Sequence, residues 1–255
     1  MALMDDIRQY WDADAPTYDL SPRHRPQSPV VQAAWTATLE RLLPPAPASV
    51  LDCGAGTGFL SLMAARLGHR VTALDLSPGM LERLEAKARA EGLAIELVVG
   101  PADRPPAGFD AVMERHLLWT LPDPAAVLAA WRAAAAPAAR LVLVASLWGT
   151  VDRAERLRTA VREAARRGRQ RLAGEEEQPE HHAAYPAAMR RALPLGTGTT
   201  PARLVELAVG AGWTTPGVQR LSDVEWAERR ELPAVERLVG VTPRFAVTAR
   251  SGTAG

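Results

Sequence analysis

Residues 50–75, VLDCGAGTGFLSLMAARLGHRVTALD, constrain the chain more than any other stretch. Val50, Leu51 and Cys53 form an apolar run broken only by Asp52, and Gly54, Gly56 and Gly58 follow at once. A buried strand entering a tight ligand-binding turn has this form. Leu60, Met63, Ala64 and Leu67 then recur at helical spacing, Gly68 stops the helix, and residues 71–75 supply a second short strand ending in a carboxylate. The stretch is a complete βαβ unit.

The spacing of the glycines narrows the ligand. A turn that takes a pyrophosphate on backbone amides and a helix N-terminus reads G-x-G-x-x-G. Here the order is Asp52-x-Gly54-x-Gly56-x-Gly58, which implies a cofactor without a pyrophosphate. Three glycines in five positions let the backbone approach a ligand closely. Asp75, at the carboxyl end of its strand, is placed where open α/β sheets bind ligands, and a carboxylate accepts from two adjacent hydroxyls at once.

Residues 50–60 and 71–81 resemble the first two motifs of the class I S-adenosylmethionine-dependent methyltransferases. The resemblance implies a Rossmann-like α/β fold, a seven-stranded sheet with helices on both faces and an antiparallel last strand, with an inserted helical cap. It implies that Asp52, Gly54, Ala55, Gly56 and Gly58 pack against the amino-acid part of S-adenosyl-L-methionine, and that Asp75, beside Leu76, holds the ribose hydroxyls. The adenine end is expected after the third strand. The G-D-A stretch found there in relatives is Gly100-Pro101-Ala102 in this chain, so Ala102 and Asp103 are the expected contacts. A second departure is Pro137-Ala138-Ala139 before the fifth strand, where relatives carry proline-glycine-glycine; it affects a turn.

Along the chain, residues 3–12 read as a helix with Leu3, Ile7, Tyr10 and Trp11 on one side, broken at Pro16. By the resemblance, Tyr18 covers the methionine end of the cofactor, where an aromatic face favours a sulfonium. The competing reading is that Tyr10, Trp11 and Tyr18 only anchor a terminal helix. Helices are expected over 30–43, from Ser77-Pro78 to Gly92, from Asp123-Pro124, and over 201–211, and one helix is expected over WAERRELPAVERL. Strands are expected at 94–100, 109–113, 140–147, 215–221 and 244–250. Arg115 and His116 follow the fourth strand, where the crevice of such a sheet opens. Arg115 is assigned to the cofactor and His116 to the acceptor.

Domain organisation follows as one domain: 1–45 an N-terminal helical lid segment, 46–148 the cofactor-binding core, 149–197 a helical cap insertion and 198–255 the completion of the sheet. Of the five histidines, His24, His69, His116, His181 and His182, His116 leads as a catalytic base and His182, in the cap, is second. An imidazole pKa of ~6.5 suits either role. No metal site is expected, because Cys53 is the lone cysteine and adjacent His181 and His182 diverge on most backbones.

Formal net charge is +1 over 255 residues, and Lys87 is the only lysine among 30 basic residues. No nucleic-acid footprint is indicated. The N-terminus lacks a basic segment and apolar core, and no run approaches the ~20 apolar residues of a membrane span; a cytoplasmic protein without a membrane partner is expected. The function implied is in-line methyl transfer to a small-molecule acceptor, with S-adenosyl-L-homocysteine as product. Two alternatives stay open: S-adenosylmethionine binding without transfer, as in a cyclase or regulatory module, and a nicotinamide-dependent oxidoreductase. Acceptor identity and oligomeric state are not specified.

Overall fold

The parallel strands expected around the glycine turn form the centre of the sheet. The computed structural model describes residues 2–21, 24–147, 153–173 and 187–252. Within them, β1 (Ser49–Cys53) pairs in parallel with β2 (Arg70–Asp75) on one side and with β4 (Phe109–Arg115) on the other. β3 (Ile95–Val99) extends the β2 side and β5 (Ala135–Ser146) the β4 side, both parallel. The strand β7 (Arg244–Arg250) is antiparallel to β5 and to the edge strand β6 (Thr214–Arg220). The order is β3-β2-β1-β4-β5-β7-β6, a seven-stranded sheet with an antiparallel last strand, as the sequence leads one to expect.

This order decides where a ligand goes. The chain winds outward from β1 to β2 and β3, then restarts on the other side with β4, so the order reverses between β1 and β4. Open α/β sheets have their crevice outside the carboxyl ends of strands at that reversal. The glycine turn leaves β1 at that point, and residues 114–116 leave β4 beside it.

Side chains alternate across each strand and sort the core into two faces. Leu51, Cys53, Val112, Leu141 and Leu143 face one way, with Leu128 and Trp131 of α5 (Pro124–Ala134) and Leu204 and Ala208 of α8 (Pro201–Gly210). Val50, Ala111, Met113 and Val142 face the other, with Trp35 and Leu39 of α2 (Pro29–Leu42), Leu60 and Met63 of α3 (Phe59–Arg66), and Val224 and Ala227 of α9 (Ser222–Glu231). Buried indoles still need acceptors: Trp131 Nε1 donates to the Ala102 carbonyl at 2.8 Å and Trp213 Nε1 to the Leu128 carbonyl at 2.9 Å.

Helix starts follow local chemistry. Ser77 accepts from the Met80 N–H at 3.1 Å and Asp123 from the Ala126 N–H at 2.9 Å, each with proline at the next position. α1 (Ala2–Asp14) buries Ile7 and packs Leu3, Tyr10 and Trp11 against the first core face. α4 (Pro78–Ala90) buries Met80, Leu81, Leu84 and Ala88. The amphipathic segment after β5 is helical over α6 (Arg153–Ala173), and α7 (Ala187–Ala192) leads to Leu193 and Leu195, both buried in the first core face.

Two expectations need correction. WAERRELPAVERL is two helices, α9 and α10 (Ala234–Val239), because Pro233 has no amide hydrogen to continue the first. β5 begins at Ala135, so Pro137-Ala138-Ala139, expected in a turn before the fifth strand, lie within it, and the register with β4 shifts between Phe109 and Ala111. Ala138 lies in that irregularity at φ 60°, where a Cβ is penalised. The strained residue is exposed, so removing its methyl group costs little packing. Ala138→Gly is expected to stabilise the protein by about 0.5–1 kcal/mol, read as a higher urea midpoint at unchanged slope.

Candidate functional site

The glycine turn is held from the side of β2. Asp75 Oδ2 accepts from the Gly56 N–H at 2.8 Å and Oδ1 from the Ser77 N–H at 2.9 Å. Each oxygen keeps capacity for another donor, since a carboxylate offers about four lone-pair sites. Gly56 has φ 54°, and a Cβ there would meet nothing within 4 Å, which leaves open space over the turn. Gly58 has φ 92° and a Cβ would collide with Leu84, so α3 and α4 meet closely behind that space. Gly54 packs on Leu117, and Ala55 donates to the Leu74 carbonyl at 3.1 Å.

Asp52 takes a supporting place. It is 2% exposed and accepts from Ser61 Oγ at 2.5 Å, tying β1 to α3 behind the turn. Burial pushes its carboxyl up to about 7, with Asp75 adding to the rise and Ser61 opposing it. Leu76 is half-buried against the first core face, and Ala102 lies in the loop after β3, its carbonyl engaged by Trp131. Asp103 is exposed.

The N-terminal segment is fastened at two points, one at the start of α4 and one on the glycine turn. Asp12 Oδ1 accepts from Ser77 Oγ at 2.5 Å and from the Gly79 N–H at 3.2 Å. Asp19 accepts from Thr57 Oγ1 at 2.6 Å and from Lys87 Nζ at 2.6 Å. Between these points Tyr18 is stacked on His24, with ring centroids 3.9 Å apart, and its carbonyl oxygen lies 2.8 Å from His24 Nδ1. A carbonyl only accepts, so Nδ1 carries the hydrogen. Burial pushes the Tyr18 phenol up to about 12, Arg115 partly opposing and Asp75 adding to it, which puts that phenol within electrostatic reach of both.

Residues leaving β4 divide by strand alternation. Arg115 turns to the second core face, its guanidinium 3.8 Å from the Phe59 ring centroid and 5.3 Å from that of Trp35. Burial, with Arg244 nearby, lowers its pKa to about 10, and it stays a cation. Glu114 and His116 turn the other way and line a small cavity with Leu118, Trp119, Ala145, Leu195, Thr199 and Leu204. Glu114 is 1% exposed and accepts from the Leu117 N–H at 2.7 Å. Burial pushes its carboxyl up to about 8 against those backbone bonds, so it is largely protonated at neutral pH.

His116 is in the left-handed region at φ 63°, a conformation that persists in an L-residue only where the surroundings hold it. Its Nε2 lies 3.5 Å from Ser146 Oγ, and Ser146 accepts from Arg244 Nη1 at 2.9 Å. Arg244 Nε in turn donates to Glu228 at 2.8 Å.

The structure therefore gathers Tyr18, Gly54, Ala55, Gly56, Gly58, Asp75 and Arg115 around the turn and His116 beside it. His182 and His181 lie outside the described residues. Sequence reasoning missed Glu114, an acid closing an apolar strand, and Thr199. It also missed the Asp19–Lys87 pair, whose one signal was a single lysine in an arginine-rich chain.

Residues 51–143 match the family model described as a methyltransferase domain. The ubiquinone biosynthesis O-methyltransferase of Xanthomonas axonopodis pv. citri (strain 306) is 35% identical over 139 residues, 53% of this chain and 55% of that relative; the chain spans about half the length of the curated relatives it matches. Among solved structures, a geranyl diphosphate methyltransferase in complex with GPP and sinefungin superposes with a TM-score of 0.62 at 14% identity, over 98% of this chain and 99% of that one. A Haemonchus contortus phosphoethanolamine N-methyltransferase 2 in complex with phosphomonomethylethanolamine and S-adenosylhomocysteine gives 0.59 at 16% identity, over 98% and 59%. Both likenesses are of fold.

The two buried acids give the free protein a pH signature. Both have folded pKa values above their ordinary ones, so the folded state holds more protons and the stability they contribute is lost as pH rises from about 4 to about 8. Glu114→Gln removes the upper part of that window. Between pH 5 and pH 8 it should gain about 2–4 kcal/mol relative to the parent chain in urea unfolding; parallel pH profiles would show that Glu114 is ionised when folded.

Proposed function

We propose, from the premise that residues 51–143 are a methyltransferase domain of the class I S-adenosylmethionine-dependent kind, that this chain transfers a methyl group to a small-molecule acceptor such as a specialised metabolite. The observation that carries the reading is the Asp75 carboxylate, pinned at the end of β2 by the Gly56 and Ser77 amides beside an open turn. When bound, S-adenosyl-L-methionine supplies an electrophilic methyl group on a sulfonium. Everything else asked of the chain is holding, orienting and excluding water.

In this reading Asp75 takes both ribose hydroxyls, with Leu76 packing beside it. Gly54, Ala55, Gly56 and Gly58 bring backbone against the amino-acid end, and Asp52 keeps the turn in place through Ser61. Arg115 offers its charge to the cofactor's carboxylate, and Tyr18 closes over the methionine portion, its segment fastened by Asp12 and Asp19. Ala102 and Asp103 border the adenine. His116 serves the acceptor as the group that takes its proton. The O-methyltransferase name of the relatives supports a small-molecule acceptor.

Calorimetric titration with S-adenosylmethionine, S-adenosylhomocysteine and NADH tests the reading. Saturable binding of the first two and not the third is expected. Asp75→Ala should weaken S-adenosylhomocysteine binding by about 1.5–3 kcal/mol, roughly 10- to 150-fold, as charge-assisted hydrogen bonds are lost. Unchanged affinity would remove Asp75 from the ribose site, and binding of NADH alone would make the turn a dinucleotide site.

A further inference from the structure

The cavity between β4 and the segment entering α8 has a chemistry of its own. Its free volume is about 10 Å³, room for one water-sized group and no more. The walls are apolar, with Leu118, Trp119 and Leu195 among them, and three polar side chains converge there: Glu114, His116 and Thr199. Thr199 is 5% exposed, and its hydroxyl has no hydrogen-bond partner among the described residues. A buried hydroxyl left unpaired is destabilising, so a folded chain keeps one chiefly where something else comes to pair with it.

We propose that Glu114 and Thr199 form a specificity pocket for one uncharged hydroxyl of an otherwise apolar acceptor, so that this chain methylates oxygen and rejects amines and deoxy isosteres. The inference rests on the methyl-transfer reading and names its acceptor class. Size is the first argument: the cavity admits the reacting substituent, while the scaffold bearing it stays on the apolar wall. Hydrogen-bond capacity is the second. A threonine hydroxyl and a protonated carboxyl can each donate to a lone pair of an entering hydroxyl, which leaves its hydrogen for His116.

Charge is the third argument. Glu114 is the one acid lining the cavity, and in its neutral form it leaves an entering ammonium group without a compensating anion among the lining residues. An apolar pocket alone discriminates weakly, whereas one built to hydrogen-bond a hydroxyl rejects the analogue lacking it strongly.

The reaction balances with the groups present. The acceptor oxygen forms its bond to the methyl carbon as the carbon–sulfur bond breaks, and that electron pair stays on sulfur as a neutral thioether. The hydroxyl proton passes to a ring nitrogen of His116 and from there to solvent.

Ligand-observed NMR with matched probes tests the pocket on the full chain, with and without S-adenosylhomocysteine. The probes are 4-propylphenol, 4-propylbenzylamine and propylbenzene, with 1-octanol and octylamine as an aliphatic pair. The hydroxyl member on at least one scaffold should bind about 10-fold or more tighter than its isosteres. Thr199→Val should erase that preference while leaving S-adenosylhomocysteine affinity unchanged and the melting temperature no lower. Glu114→Gln, neutral and still able to donate and accept, should keep it. Equal binding of hydroxyl and deoxy probes, preference for an amine, no hydroxyl binding at millimolar concentration, or an undiminished preference in Thr199→Val would each overturn the proposal. Failure to bind S-adenosylhomocysteine would instead strike the methyl-transfer reading, because probe binding is also measured without it.

Discussion

A carboxylate held by two backbone amides ties the candidate site together. Asp75 ends β2, and through the Gly56 and Ser77 amides it fixes both the turn leaving β1 and the cap of α4. Neither amide has a helix partner, so without the carboxylate each loses its acceptor in a half-buried place. The same two loops receive the N-terminal segment, through Thr57 to Asp19 and through Ser77 and Gly79 to Asp12. Whatever displaces Asp75 therefore disturbs the turn and the segment lying over it.

Burial then sorts the charges around this anchor. Desolvation penalises every ionised group here, and the groups answer it differently. Asp52 and Glu114 have weak local compensation and rise towards the neutral form. Arg115 keeps its charge because its pKa, even lowered to about 10 by burial, lies well above neutral. The crevice is thus less acidic than its residue list suggests, and its resident cations are arginines.

Much of this was legible in the sequence because local chemistry and global fold agreed. The glycines, the Ser77-Pro78 and Asp123-Pro124 helix starts and the apolar strands each carried their own signal. Other parts had no local signal. Glu114 looks like the end of a strand until burial raises its pKa, and Thr199 looks like a loop threonine until the fold brings it to β4, far away in sequence. The Asp19–Lys87 pair joins residues 68 positions apart in the chain. Pro233 was visible and was outweighed by the helical pattern on either side of it. Residues of the expected cap, His182 among them, lie outside what the structure describes.

Strand alternation divides one short stretch between two sides of the sheet. Arg115 points to one face of the sheet, while Glu114 and His116 point to the other. A two-residue period thus separates consecutive side chains into the proposed cofactor side and the proposed acceptor side without any insertion. A helix leaving β1's neighbour at this position would place residues 114–116 about 100° apart and hold no such division. The left-handed turn at His116 ends the strand immediately afterwards, so the alternation delivers its chemistry at the crevice edge and stops there. Leu117, next in the chain, packs on Gly54 and donates its amide to Glu114. Glu114 thereby also positions the residue that rests on the glycine turn, so one side chain links the small cavity to that turn.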